Sequence, residues 1–202
     1  MRGIPTQSEE VAVYRDIALA ELTGLPIHLA HISCGGSVEL IRRAKQAGIP
    51  VTAETAPHYF TLTDEAVVGY STNTKMNPPL RTAADVAGIK AGLADGSLDC
   101  IATDHAPHAI LDKEVEFDKA AFGIVGLETS IPLSLALVRE ETLTALQMVD
   151  RMSSGPARVL DIPGGNLKPG SPADVTLIHP EAKYTLQADK LKSKGRNTPF
   201  DG

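Results

Sequence analysis

Three short apolar runs, spaced so that a helix fits between successive ones, constrain this chain more than any other feature. Residues 26–32 (Pro-Ile-His-Leu-Ala-His-Ile), 49–55 and 98–103 each read as a buried strand. Ahead of the first run, residues 8–23 place Val11, Tyr14, Ala18 and Leu22 at helical spacing, with Ser8 as N-cap and Gly24 as the stop. Ser37 is positioned to cap a second helix that ends before Gly48, and further helices are expected over 83–94, 128–138 and 142–152. Strand, helix and strand in this rhythm specify βα units, a parallel sheet and an α/β fold.

Three strands do not close a (β/α)8 barrel, which needs eight strands and typically ~250 residues. Either the chain is a small open sheet, or it is part of a barrel whose other strands lie upstream of Met1. After Pro156 the texture changes. Residues 161–172 are rich in turn formers and 173–178 read as a strand, which suits a small all-β appendage. The expected division is therefore 1–160 and 161–202. The last twenty residues are basic and weakly patterned, equally readable as a solvated tail.

Composition removes several function classes. A net charge of −6 and a pI near 5.5 argue against nucleic-acid binding. With 4% aromatic residues and no Trp, a base- or carbohydrate-stacking platform is not expected. No apolar run approaches the ~20 residues of a membrane span, and the first residues lack the apolar core of a signal peptide. Two cysteines, Cys34 and Cys100, are too few for a disulfide framework, so a reducing cytoplasm is expected.

The long connections 56–82 and 104–127 leave the C-terminal ends of strands, where α/β folds bind ligands. At the head of the second stands Thr103-Asp104-His105-Ala106-Pro107-His108. Asp104 and His105 should point to opposite faces. A carboxylate at a strand tip suits a metal ligand or a base; equally, Asp104 could cap a turn and His108 lie on the surface. His28 and His31, three apart, should also face opposite sides. His31 is the better ligand and His28 reads as a satisfied core histidine. Imidazole with carboxylate suits zinc or another borderline cation, and His58 offers a third ligand or a structural hydrogen bond. In Asn77-Pro78-Pro79-Leu80-Arg81 the double proline fixes the loop. A held Asn77 presents donor and acceptor to a substrate amide or carboxylate; the alternative is a structural loop with Arg81 paired to a carboxylate. Neither cysteine has a convincing nucleophile set, and no GxGxxG or P-loop occurs.

Taken in order, residues 28–33 (HLAHIS), 51–58 (VTAETAPH), 75–81 (KMNPPLR), 101–108 (IATDHAPH) and 122–128 (FGIVGLE) resemble the C-terminal half of the bacterial-type dihydroorotases, within the metal-dependent amidohydrolase superfamily. Residues 165–170 with Ala173 and Asp174 resemble that superfamily's small β-sandwich, and 193–200 its C-terminal segment. The resemblance implies that 1–160 is the second half of a TIM-type (β/α)8 barrel, carrying its last three strands, and that 161–202 is part of the sandwich. It implies that His31 is a zinc ligand and that Asp104 is both zinc ligand and catalytic acid/base. Asn77, His108 and the backbone around Phe122 and Gly123 would contact substrate, and His58 is not a usual ligand in this branch. The implied reaction interconverts dihydroorotate and N-carbamoyl-L-aspartate in pyrimidine synthesis.

The family's His-x-His pair, bridging Asp, further His and carboxylate-gripping Arg and Asn would lie upstream, and the family would continue past Gly202. The chain alone is therefore expected to be inactive and to bind zinc weakly. Its expected partner is the missing half or a second copy. The alternatives are another cyclic amidase (allantoinase or hydantoinase/dihydropyrimidinase), or a non-catalytic subunit partnering aspartate transcarbamoylase.

Overall fold

The computed structural model describes residues 3–202. Its elements begin with α1 (Thr6–Thr23), β1 (Ile27–Leu29), α2 (Gly35–Gln46), β2 (Val51–Thr55), α3 (Pro57–Thr61), α4 (Ala83–Asp95) and β3 (Cys100–Ile101). They continue with α5 (Ile110–Lys113), α6 (Leu127–Arg139), α7 (Ala145–Val149) and, after a π turn, α8 (Gly155–Val159). The strands form one parallel sheet in the order β1-β2-β3, with Leu29 opposite Ala53 and Thr55 opposite Ile101. This is the α/β arrangement expected from the three apolar runs. No helix among the described residues is long and apolar enough to cross a membrane.

The sheet's two faces differ. Along β2, Val51, Ala53 and Thr55 are buried, whereas Thr52 and Glu54 on the opposite face are half-buried. Leu29, Val51, Ala53 and Ile101 pack with Val13, Ile17, Val38, Ile41, Ile89, Leu93 and Leu137 from the helices into one core. Burying an aliphatic side chain of this size contributes about 1.5–3 kcal/mol, so this layer dominates the fold's stability. The other face carries His28, Thr52 and Glu54, which hydrogen-bond to one another.

Two local expectations need correcting. Helix α1 begins at Thr6, and Ser8 is not its cap: the Ser8 hydroxyl donates back to the Pro5 carbonyl. Its buried stripe is Val13, Ile17 and Ala20, while Val11, Tyr14 and Leu22 are exposed and Ala18 is half-buried. The helix carries apolar residues all round, so spacing alone does not select the core side. Helix α2 begins at Gly35 and is capped from outside. Glu9 of α1 accepts from the Ser33 and Cys34 amides (3.0 and 3.3 Å), and Asp85 of α4 accepts from the Gly35 amide (3.1 Å). Carboxylates here satisfy orphan N–H groups and complement the positive helix end. Ser37 is instead buried inside the first turn.

Past α8, residues 173–178 form no strand and are exposed. A strand needs a ladder partner, and none of the described residues pairs with this stretch. The tail is not simply solvated either: Leu191, Asn197 and Thr198 are buried.

Helices α2 and α4 cross backbone to backbone, since a Cβ on Gly88 would stand 2.7 Å from Gly35 Cα. Helix propensity alone favours Ala over Gly by about 1 kcal/mol. Gly88→Ala is nonetheless expected to destabilise by about 1–3 kcal/mol through overpacking. Urea unfolding decides the matter; a stabilised variant would contradict the close crossing.

Candidate active site

The strands end early, and the residues after them turn sharply. β1 stops at Leu29 and β3 at Ile101; His31 then adopts φ 58° and Asp104 φ 46°. Left-handed backbone at a non-glycine residue costs about 1–3 kcal/mol and persists only where its surroundings enforce it. The turn at His31 corrects the expectation that His28 and His31 face opposite sides. Alternation holds only within a strand, and both imidazoles reach one carboxylate: His28 Nε2 lies 3.3 Å from Glu54 Oε2, and His31 Nδ1 3.3 Å from Glu54 Oε1. His28 also contacts Thr52 Oγ1 at 2.8 Å.

At the other strand end Asp104 and His105 diverge. His105 Nδ1 accepts from the Gly126 amide at 3.0 Å, ahead of α6. Asp104 faces the cluster, with Oδ2 3.6 Å from His58 Nε2, and its charge acts on His31. Interaction with Glu54, then the charges of Asp104 and Glu54, outweigh burial and raise the His31 pKa above the ordinary imidazole value. Burial works to raise Glu54, but the His28 hydrogen bond and the nearby His28 and His31 imidazoles override it and hold the carboxyl at about 2. Burial, aided by the charge of His31, pushes His58 down to about 3. Burial likewise raises the Cys34 thiol to about 11, in keeping with a cysteine that is no nucleophile.

His31 Nδ1 and His58 Nε2 are buried without a hydrogen-bond partner. His31 directs Nδ1 at Glu54, which leaves Nε2 as the nitrogen able to bind a cation, the carboxylate–histidine pairing typical of metal sites. His31 and Asp104 thus fit two positions of an N/O-ligated cation. Among the described residues no group of three or more His, Cys, Asp or Glu could hold an ion. The fit is to part of a site.

The substrate-facing candidates lie on the two long connections that follow β2 and β3. Asn77 is exposed on its loop. That loop is pinned by Tyr59 Oη, which donates to the Pro78 carbonyl (2.8 Å), and by Arg81. Arg81 Nε donates to Ser33 Oγ (3.0 Å), its Nη2 lies 3.5 Å from Glu9, and its Nη1 donates to the Ile4 carbonyl. The structural reading of Arg81 therefore holds: it ties the Asn77 loop to the segment bearing His31. His108 Nε2 is engaged with the Phe122 carbonyl at 2.8 Å.

The Gly123 backbone is engaged within the chain. Its amide donates to the Lys75 carbonyl (2.8 Å), and its carbonyl accepts from Lys113 Nζ and Asn197 Nδ2 (3.1 Å each). Both lone pairs of that carbonyl are occupied, while the Phe122 ring beside it is 49% exposed.

Sequence reasoning missed the braces. Asn197 accepts from the His108 amide (3.0 Å) and donates to the Ala106 carbonyl (2.9 Å). Buried Lys75 donates to the Asp118 and Ala120 carbonyls, and buried Lys113 to Ala121. Burial, with Lys75 nearby, lowers Lys113 to about 8. Glu54 was the legible omission, since strand alternation puts it on the face of Thr52. A cleft of about 980 Å³ is lined by Lys75, Met76, Arg81 and Phe122, and neither His31 nor Asp104 lines it.

The amidohydrolase family model matches residues 5–198. The chain belongs to the amidohydrolase family. This amidohydrolase chain is 59% identical over all 202 of its residues to a dihydroorotase of Geotalea daltonii, of which it covers 48%. It is 58% identical to a dihydroorotase of Pelobacter propionicus, with the same coverage. Among solved structures it resembles an L-hydantoinase (dihydropyrimidinase) from Arthrobacter aurescens, with TM-score 0.92, 30% identity, and coverage of 98% of this chain and 45% of that one. A dihydropyrimidinase from Brevibacillus agri gives TM-score 0.89 at 26% identity, with the same two coverages. The chain thus spans about half the length of the curated relatives it matches.

If Glu54 sets the charge balance at His31, Glu54→Gln lowers the His31 pKa. Histidine NMR titration of the metal-free chain reads this directly, and an unchanged value would contradict the pairing. Asn197→Ala leaves buried groups unpaired at about 1–3 kcal/mol each. Hydrogen exchange should therefore quicken at the His108 amide and leave β2 unaffected; protection unchanged at His108 would show that Asn197 does not hold the loop.

Proposed function

We propose that this chain supplies the half of a dihydroorotase active site that is carried by the last three barrel strands, interconverting dihydroorotate and N-carbamoyl-L-aspartate in pyrimidine synthesis in the cytoplasm. Residues 1–160 contribute the barrel portion and 161–202 part of the sandwich domain. The observation that carries the reading is that His31 and Asp104 each sit on a left-handed turn past a parallel strand, His31 beside Glu54 and Asp104 facing His58. The 59% identity to a dihydroorotase favours this substrate over the hydantoins suggested by the structural likeness. An assembly role beside aspartate transcarbamoylase needs none of His31, Asp104, Asn77 and His108, all of which are present.

His31 Nε2 and a carboxylate oxygen of Asp104 would hold zinc, with further ligands from a segment matching the part of the relatives that this chain does not span. Zinc supplies a polarised carbonyl and a water acidified to a pKa of about 7. Asp104 takes the proton of the attacking water and returns it to the departing ring nitrogen, a role worth ~10²–10⁴-fold. Glu54 keeps the His31 ring turned so that Nε2 faces inward. Asn77, on its proline-fixed loop, bonds the substrate's amide or carboxylate, and His108 Nδ1 with the Phe122 ring closes the opposite side.

The test is substitution of this chain for the matching half of the Geotalea daltonii relative. The chimera should hydrolyse dihydroorotate in added zinc, and Asp104→Asn should lower its kcat by ~10²–10⁴-fold. The 202-residue chain alone should show no turnover. Full activity of the chain alone, or a chimera active on hydantoin and not on dihydroorotate, would overturn the reading.

A further inference from the structure

Neither zinc binding nor substrate contact assigns a role to His28 or His58, and whereas His28 hydrogen-bonds to Thr52 and Glu54, the Nε2 of His58 has no hydrogen-bond partner. His58 sits on the first turn of α3, fixed by Pro57 at the helix start, and is 2% exposed. Its ring meets Tyr59 edge-on at 4.1 Å between centroids, as a Phe or Leu would. A histidine there buries a polar Nε2 with no hydrogen-bond partner, at a cost of about 1–3 kcal/mol. An apolar residue would fill the space without that cost. The nitrogen faces Asp104 Oδ2 across 3.6 Å, just beyond the reach of an N–H···O bond.

We propose that His58 is a positioning residue for Asp104: its Nε2–H donates to Oδ2 in the cation-loaded site, holding that oxygen outward and leaving the other for the cation. The inference rests on the reading of Asp104 as a zinc ligand. Three features support it. The β2–α3 junction is rigid, because Thr55 Oγ1 donates to the Ile32 carbonyl (2.8 Å) while the next helix starts at Pro57. His58 therefore stays in place while Asp104, on its turn, closes the gap. A neutral donor also leaves the carboxylate its charge, which a cation requires. Finally, the arrangement repeats on the other side of the cluster, where Glu54 faces His31 Nδ1. Each of the two zinc-binding side chains is then backed by one partner of opposite hydrogen-bonding sense, and such outer partners typically contribute 10–100-fold in metal affinity.

The experiment is a Zn²⁺ titration of the 202-residue chain, followed by the His31 ring signals in NMR, for wild type, His58→Gln and His58→Phe. Gln places an amide donor near the position of Nε2; Phe keeps the packing and removes the donor. The expected result is a Kd weakened about tenfold by Phe and within about threefold of wild type for Gln, while thermal melting of the metal-free Phe variant is unchanged or raised. If Phe unfolds, His58→Leu takes its place. Unchanged Zn²⁺ affinity in the donor-free variant overturns the inference. Equal and severe loss in the Gln and Phe variants also overturns it, because His58 would then be a ligand itself. Zn²⁺ that leaves the wild-type His31 signals unmoved up to millimolar concentration overturns the underlying reading, and the inference with it.

Discussion

The left-handed backbone at His31 and Asp104 is the constraint on which the rest of the site depends. Each residue follows a short parallel strand, and the turn at His31 swings its side chain off the core face that continued alternation from Leu29 would impose. Two groups from different strands thereby meet around Glu54 and His58, on the polar face of a sheet whose other face packs against helices. At about 1–3 kcal/mol per turn, the arrangement persists only because neighbouring segments hold it.

Those segments form two braces. On the His31 side, Glu9 of α1 gathers the Ser33 and Cys34 amides, the Ser33 hydroxyl and Arg81, so helix, strand end and the Asn77 loop are fixed to one carboxylate. On the Asp104 side, Asn197, Lys75 and Lys113 stake the loop 105–125 through backbone carbonyls. In the second brace Asn197 comes from about ninety positions further along the chain. The Lys75 and Lys113 ammonium groups are buried against carbonyl oxygens. The strained turns and the substrate-facing side chains thus share supports, which makes the outer residues as consequential as the inner ones.

Much of this was legible in the sequence, for identifiable reasons. Apolar runs and glycine stops located the three strands and the helices α2, α4 and α6, because burial and capping act locally. The resemblance motifs pointed to His31 and Asp104. Alternation misjudged His28 and His31, since it gives no warning that β1 ends at Leu29. Spacing chose the exposed stripe of α1, because apolar residues surround that helix. Local spacing offers Ser37 as the cap; Glu9, 24 positions before Ser33, pairs with it only in three dimensions. The same limit hid Asn197 and Lys113. The strand expected at 173–178 had β propensity but lacks a partner among the described residues.

The central claim is that His31 and Asp104 share one cation. Anomalous diffraction from crystals of the chain soaked in zinc measures it most directly. The account predicts a peak about 2.0–2.2 Å from both His31 Nε2 and an Asp104 carboxylate oxygen. An ordered zinc bound elsewhere, with neither residue among its ligands, would contradict it.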